Sequence, residues 1–394
     1  MGAVPRAIAF VLYGFVDSNA GLIITFDGRR AVMIDPSMQA GGLYSMVSAL
    51  PPLATVLRTA DELVALAPEW MALWRRVPTA TPFQTPAWLL AWWQHLGGGE
   101  LAVIAARDDQ GILVGLAPLF IHVDGSTRKL VPIGIGISDY HDFLLDPFNE
   151  RAAMAALFER LRQERHRWDV IAVEELNPEA RLLVHPCPPG WSDDVADQEN
   201  CLVLSLPAGT TRIEDAIPRG KLRDLRQAGH RTRRRGVVKL EQPASAEEPL
   251  EALLRLHGAR WAKRGEPGGV LASPQVQAFH REAAPALFTA GILRMYVLRI
   301  DGRIIGSYYG FLHRARAYAY LTGFDPDYAF ESPGTLLLGH AIMEAMREGA
   351  RLFDMLRGSE RHKYSWGAIA QPNRRRRFRL ASAESGSGPA HCDR

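Results

Sequence analysis

The sequence predicts an α/β (α+β) fold of two tandem domains, each a mixed, mostly antiparallel sheet flanked by helices. Three observations carry this. The 394 residues exceed what one hydrophobic core usually organises. Hydrophobic residues make up 47% and charged residues 23%, the balance of a globular chain rather than a disordered or fibrous one. A block reading hairpin, strand, helix, strand occurs once in each half of the chain.

Residues 1–50 read as an extension, with strands expected over Ala7–Phe15 and Leu22–Phe26 around a turn at Asp27 and Gly28. Thr59, followed by Asp61 and Glu62, opens a helix carrying Leu63, Leu66, Trp70 and Leu73 at helical spacing. Thr81–Thr85 is a Pro-bounded turn, and Pro86–His95 is an aromatic-rich helix stopped by Gly97, Gly98 and Gly99. Leu101–Arg107 and Leu113–Ile121 form a hairpin around residues 108–111. A strand is expected over Asp139–Leu145, an amphipathic helix over Glu150–Arg165, a strand over Asp169–Val173 and a loop over Asn177–Gly190.

The second half repeats this order. Ile213–Arg235 is a basic helical region, and helices follow over Pro249–Arg260 and Gln275–Ala290. Leu293–Ile300 and Ile304–Leu312 make a hairpin turned at Asp301 and Gly302. Tyr318–Thr322 is the next strand, Pro333–Glu348 the next helix and Leu352–Leu356 the next strand. The tail is Arg-rich from Arg374, then rich in Ser, Gly and Pro, and is expected to be disordered. The expected division is therefore an extension over 1–50, domains over 51–205 and 206–372, and a tail over 373–394.

The formal charge is only +3, carried mostly by arginines spread along the chain, so composition gives no reason to expect a DNA-binding face. Three cysteines without a CxxC pair suggest neither a disulfide framework nor a zinc site, and no metal is expected. The apolar run Ala7–Val16 lacks the flanks of a secretory signal, and no stretch reaches membrane-span length. The expectation is a soluble, cytoplasmic protein.

The strand Tyr318–Thr322 runs through Gly323, Phe324, Asp325 and Pro326 into Ser332-Pro333-Gly334-Thr335-Leu336 and a long apolar helix. Ser332 suits an N-cap and Pro333 the first helical position, while Gly334 lets a ligand approach the first turn. Such a turn either starts a helix and nothing more, or offers free amides and the positive end of the helix dipole to an anion. Downstream lies Phe353-Asp354-Met355-Leu356-Arg357-Gly358, then Glu360, Lys363, Tyr364 and Trp366-Gly367. Alternation puts Phe353 and Met355 on one face and Asp354 on the other. The charges read either as a solvated turn or as a partly buried cluster with the aromatic residues. The run Lys221–Arg235 reads as a solvated basic helix or as a phosphate-contacting one, and it lacks aromatic interleaving for single-strand stacking.

Taken in order, Phe324-Asp325-Pro326, Ser332-Pro333-Gly334, Phe353-Asp354, Leu356-Arg357-Gly358 and Lys363-x-x-Trp366-Gly367 resemble the CelD-like (BioF2-like) acetyltransferases of the GNAT superfamily. They are also similar to the Fem-type peptidoglycan-bridge transferases. Thr81-Pro82-Phe83-Gln84-Thr85-Pro86-x-Trp88, Ala117-Pro118-Leu119 and Ser138-Asp139-Tyr140-x-Asp142 extend the resemblance over about residues 55–370. The pyrophosphate loop departs from the common Arg/Gln-x-x-Gly-x-Gly/Ala form, with only Gly334 present.

The resemblance implies two GNAT folds, the second binding acetyl-CoA or another acyl-CoA. Leu321, Thr322, Gly323 and Phe324 would meet the pantetheine, and Ser332, Gly334, Thr335 and Leu336 the diphosphate. Lys363 would serve substrate binding, joined by Asp139, Tyr140 and Trp366. The chemistry asks for an amine attacking a thioester, with Asp354 or Glu360 as base and Tyr364 protonating the leaving thiolate. The expected acceptor is a small-molecule amine, such as an amino sugar or polysaccharide precursor. Two other readings stand beside this one: Fem-like aminoacyl transfer from charged tRNA, and a non-catalytic binding protein of the same fold.

Overall fold

The computed structural model describes residues 14–15, 22–26, 30–34, 50–262 and 269–381, with only the backbone of 14–15, 22–26, 30–34 and 260–262. The chain divides into two compact units, Met1–Pro51 and Pro52–Arg394. In the first, strands Gly14–Phe15, Leu22–Phe26 and Arg30–Ile34 form an antiparallel sheet. The expected strand over Leu22–Phe26 is present, and most of the expected Ala7–Phe15 strand lies outside the described residues.

The second unit begins with β1 (Leu53–Leu57). Thr59 and Glu62 then cap each other reciprocally and open α1 (Ala60–Ala65). Pro68 cannot donate within a continuing helix, so the single helix expected here is split and α2 (Ala67–Arg76) starts afresh. The Thr85 hydroxyl accepts from the Trp88 amide to start α3 (Pro86–Leu96), which ends at Gly97 as expected. β2 (Val103–Arg107) and β3 (Leu113–Ala117) complete a small antiparallel sheet with β1. After Pro118 the chain changes sheets: β4 (Leu119–Asp124) and β5 (Thr127–Pro132) form a second hairpin. Then α4 (Glu150–Gln163) crosses to β6 (Val170–Leu176), which is parallel to β5. Of the expected strand over Asp139–Leu145, only Leu144–Leu145 is extended in a sheet; its preceding turn uses positive φ at Gly134 and Gly136.

Next come β7 (Trp191–Ser205), α5 (Arg219–Arg233), β8 (Val238–Glu241), α6 (Glu247–Ala262) and α7 (Pro274–Thr289). α5 starts only after Pro218, so the basic helix is shorter than expected. The strands β9 (Leu293–Ile300), β10 (Arg303–His313) and β11 (Arg316–Phe324) are antiparallel neighbours. Then α8 (Pro333–Arg347) crosses to β12 (Leu352–Arg357), which is parallel to β11. The repeat expected from the order of elements is thus present: β5, α4 and β6 match β11, α8 and β12.

The last strand corrects the expected disordered tail. Residues 369–380 form β13 (Ile369–Leu380), which pairs antiparallel with β6 on one side and β7 on the other. β7 in turn pairs with β12. Each half thereby borrows the strand that follows the other's crossover, and one large sheet runs through both. The boundary expected at residue 205 falls at the end of β7, inside this continuous sheet.

Charge explains why an arginine-rich segment lies in a sheet. β7 presents acidic residues to it: Asp193 pairs with Arg376 at 2.6 Å, Asp197 with Arg374 at 3.1 Å and Asp194 with Arg375 at 3.7 Å. Opposite charges across strands stabilise the pairing, while either run alone would repel itself. Aromatic rings close the junction between halves, with Phe83 against Phe311 at 5.4 Å and Trp88 against Phe279 at 4.7 Å, both edge-to-face.

A chain ending at residue 368 would leave β6 and β7 without their shared neighbour. We expect it to lose cooperative unfolding, seen as the disappearance of a single sharp melting transition in circular dichroism.

Candidate active site

β11 and β12 are bonded for only three residue pairs, Arg316 to Leu352, Ala317 to Phe353 and Tyr318 to Asp354. Beyond Tyr318 they part, while β11 stays bonded to β10 as far as Phe324. Tyr320 is an extra residue in that ladder, a bulge just past the point where β11 and β12 part. Its hydroxyl donates to the Ile137 carbonyl at 3.0 Å, fixing a loop of the first half at the gap. The parted strands enclose a cleft of about 440 Å³. Residues Ala319–Thr322 form one wall and Leu356, Arg357, Glu360 and Lys363 another, with Asp139 and Glu199 contributed from the first half.

Asp354 lies beneath this cleft rather than on its wall, with no solvent exposure. Its carboxylate accepts from the Tyr140 hydroxyl at 2.7 Å and the Leu356 amide at 2.9 Å. The Arg316 guanidinium is 3.3 Å away. Burial pushes the Asp354 carboxyl up, and Arg316 and the Tyr140 hydroxyl oppose that rise. A carboxylate enclosed by these donors joins the two halves; it has no open face for a substrate amine. Tyr140 shares that role, and burial with the adjacent Asp354 raises its phenol well above the ordinary value.

Arg357 is a second junction, one to which the sequence reading gave no role. Its Nε donates to Asp139 at 2.6 Å and Nη1 to Glu175 at 3.1 Å, while Nη2 donates to the Ser138 carbonyl at 3.3 Å. Asn373 of β13 donates to the other Glu175 oxygen at 2.9 Å. Burial raises the Asp139 carboxyl, and Arg357 opposes the rise. Two non-glycine residues with left-handed backbones set this geometry: Leu356 at φ 57° and Glu175 at φ 53°. Each sits where its strand's register slips, and each costs about 1 kcal/mol or more, which the surrounding bonds must hold in place.

Lys363 is nearly buried and closes the end of β12. Its ammonium donates to the Arg357 carbonyl and the Leu356 carbonyl, and pairs with Glu360 at 3.0 Å. The Glu360 side chain is 55% exposed, so it is the carboxylate of the expected pair that can meet a ligand. Burial raises its carboxyl, but the Lys363 ammonium, together with Glu360's own backbone amide and His362, outweighs this and holds it below the usual range. Gly358, at φ 114°, allows the approach, since a Cβ there would collide with the Glu360 carboxylate.

The remaining expected residues fall elsewhere. Leu321 and Thr322 line the cleft. Tyr364 is half-exposed and off the wall, while Trp366 is buried in the core beside Leu202 and Leu204, with the Lys221 ammonium 4.5 Å from its ring. Gly323 and Phe324 continue β11 away from the cleft towards the start of α8, where an added Cβ on Gly334 would touch the Phe324 ring at 3.6 Å. Thr335 and Leu336 follow in the first turn, and their amides are bonded to the Ser332 carbonyl at 3.0 and 3.4 Å. Ser332 is left-handed, at φ 56° and ψ 55°, and its side chain makes no capping bond. Its hydroxyl instead accepts from Arg231 of α5 at 3.1 Å. A cation at the positive end of a helix is electrostatically unfavourable by itself, and it becomes favourable when an anion sits between them.

Among the described residues, no group of three or more His, Cys, Asp and Glu is placed to hold a metal ion. No helix among them is long and apolar enough to cross a membrane.

Residues 219–364 match the family model of the acetyltransferase (GNAT) domain. Solved structures share the wider fold. The FemX crystal structure matches with a TM-score of 0.59 at 12% identity, over 82% of this chain and 96% of FemX. A conserved protein from Bacteroides thetaiotaomicron VPI-5482 matches at 0.52 and 12% identity, over 82% of this chain and 100% of that one. The C-terminal DUF2156 domain of a candidate lysylphosphatidylglycerol synthetase from Agrobacterium fabrum matches at 0.51 and 14% identity, over 82% and 93%. No curated protein matches the chain. At these identities the likeness is one of fold.

Replacing Tyr140 with Phe removes one donor from a buried carboxylate. We expect a loss of about 1–3 kcal/mol in urea unfolding, with the native circular dichroism spectrum kept.

Proposed function

We propose that this chain is an N-acyltransferase of CelD-like type that takes an acyl group from acyl-CoA and gives it to an amine acceptor. The parting of β11 from β12 carries the reading. It leaves the backbone edge of Ala319–Phe324 without a strand partner on that side, and an amide-bearing arm can add to such an edge as a further strand. Continuing along that edge leads to the start of α8, where Gly334 and Arg231 favour a diphosphate. The residues present therefore fit acyl-CoA as donor, with Leu321, Thr322, Gly323 and Phe324 against the arm and Ser332, Gly334, Thr335 and Leu336 near the diphosphate.

Bound acyl-CoA supplies a thioester carbonyl, whose C–S bond breaks as the amine forms its C–N bond; coenzyme A leaves as the thiolate and takes its proton from solvent. Glu360 reaches the cleft as a carboxylate and serves as the base that takes the proton from the attacking amine. Lys363 holds Glu360 in place by their 3.0 Å ion pair. Of the carboxylates lining the cleft, Asp139 is paired with Arg357 and Glu360 with Lys363, which leaves Glu199 to attract a cationic amine, such as an amino sugar. Asp354 and Tyr140 position β12, and Tyr364 and Trp366 take no direct part.

Calorimetric titration with acetyl-CoA and longer acyl-CoAs should show saturable binding that Gly334→Trp weakens at least tenfold. Binding unchanged by that substitution would remove the diphosphate from α8. Glu360→Gln is expected to lower kcat about a hundredfold or more with KM for acyl-CoA little changed. A rate equal to wild type would take Glu360 out of the mechanism.

A second reading, Fem-like aminoacyl transfer from charged tRNA, is favoured by the row of exposed arginines on and just after α5: Arg223, Arg226, Arg233, Arg234 and Arg235. If it holds, tRNA binding should weaken steeply with salt, and replacing three of these arginines should flatten that dependence. Acyl-CoA titration without heat would favour this reading.

A further inference from the structure

A second cavity, of about 180 Å³, lies at the opposite end of the β11–β12 pair, where the two strands begin. It shares no lining residue with the cleft. Three arginines line it: Arg314 and Arg316 at the start of β11, and Arg351 just before β12. His313 lines it too, and from the first half come Asn177, Glu179 and the turn at Pro78–Thr81. Three guanidinium groups thus meet one carboxylate at the wall.

Arg316 is paired with Asp354, whereas the other two cations have no carboxylate partner among the described residues. Arg351 is exposed and has no side-chain partner among the described residues. Buried Nε of Arg316 makes no hydrogen bond, although it stands 3.3 Å from Asp354, and buried Nε2 of His313 has no partner either. Arg314 bonds only carbonyls, those of Arg75 at 2.9 Å and Val77 at 3.2 Å, so its charge has no counter-ion among the described residues. Both atoms are closed to solvent, the His313 ring lying against Trp74 at 4.1 Å, so the cavity is offered the exposed guanidinium groups of Arg314 and Arg351.

Volume and charge together limit the occupant. The cavity is smaller than the roughly 300–1,000 Å³ of pockets that take whole small molecules. Planar guanidinium groups match the oxygens of phosphate or carboxylate. We propose that this pocket binds a single oxyanion, a phosphate or carboxylate group, at a site separate from the cleft. Such a group would share Arg316 with Asp354, whose other partners are Tyr140 and the cleft-lining Leu356. The site does not rest on the transferase reading.

The test is calorimetric titration of the full chain with inorganic phosphate, with ionic strength held constant by sodium chloride. A saturating site is expected, weakened about tenfold or more in Arg351→Gln, whose melting temperature without phosphate should match wild type. Arg314→Gln should weaken it as well. Parallel titrations with acetate and glycerol phosphate separate a carboxylate, a free phosphate and a phosphoryl group carried on a larger molecule. Heat that does not saturate, or phosphate affinity unchanged in Arg351→Gln, would overturn the proposal.

Discussion

The pairing of β7 with β13 is the contact on which the rest of the molecule depends. Each strand belongs by sequence to one half and completes the sheet around the other, so neither half has a closed sheet without its partner. The acidic face of β7 and the arginines of β13 make this pairing selective, because each run is unfavourable next to itself. Arg376 is buried, but the pairs of Arg374 and Arg375 are more open, and exposed ion pairs contribute little, roughly 0–1 kcal/mol each, so the main effect of those two is on register and choice of partner.

That shared sheet brings together groups separated by more than two hundred positions in the chain. Tyr140 meets Asp354, and Asp139 meets Arg357, across the seam between halves. Burying charges in this way is costly unless every one is paired, and the reward is geometric rather than energetic. Asp354, Arg316 and Tyr140 fix the end of β12, while Arg357, Asp139, Glu175 and Asn373 fix the loop opposite it. Left-handed backbones at Leu356 and Glu175 are the local strain that this network holds.

The cleft itself rests on backbone more than on side chains. Strands that stop pairing after Tyr318 expose amides and carbonyls along one edge, and the same strand leads onward to a helix start. Few charged side chains line the cleft: Glu360 with Lys363, Asp139 with Arg357, and Glu199. This economy is what the proposed transfer asks for, since proximity and a proton acceptor are its main needs.

Much of this was legible in the sequence, because it depends on local periodicity and turn chemistry. The hairpins, the crossover helices, the capping pair Thr59 and Glu62 and the repeated order of elements all follow from neighbours within a few residues. Leu321, Thr322, Asp139, Glu360 and Lys363 were likewise placed together by ordered motifs. What the sequence could not determine is long-range. The arginines of 374–379 look disordered until the aspartates of β7 lie beside them, and Asp354 looks like a base until Tyr140 and Arg316 enclose it. Ser332 reads as a cap, yet Arg231 takes its hydroxyl and the backbone turns left-handed. In each case a side chain's role was decided by a partner brought near by folding, and the energy of that contact has no trace in the spacing of nearby residues.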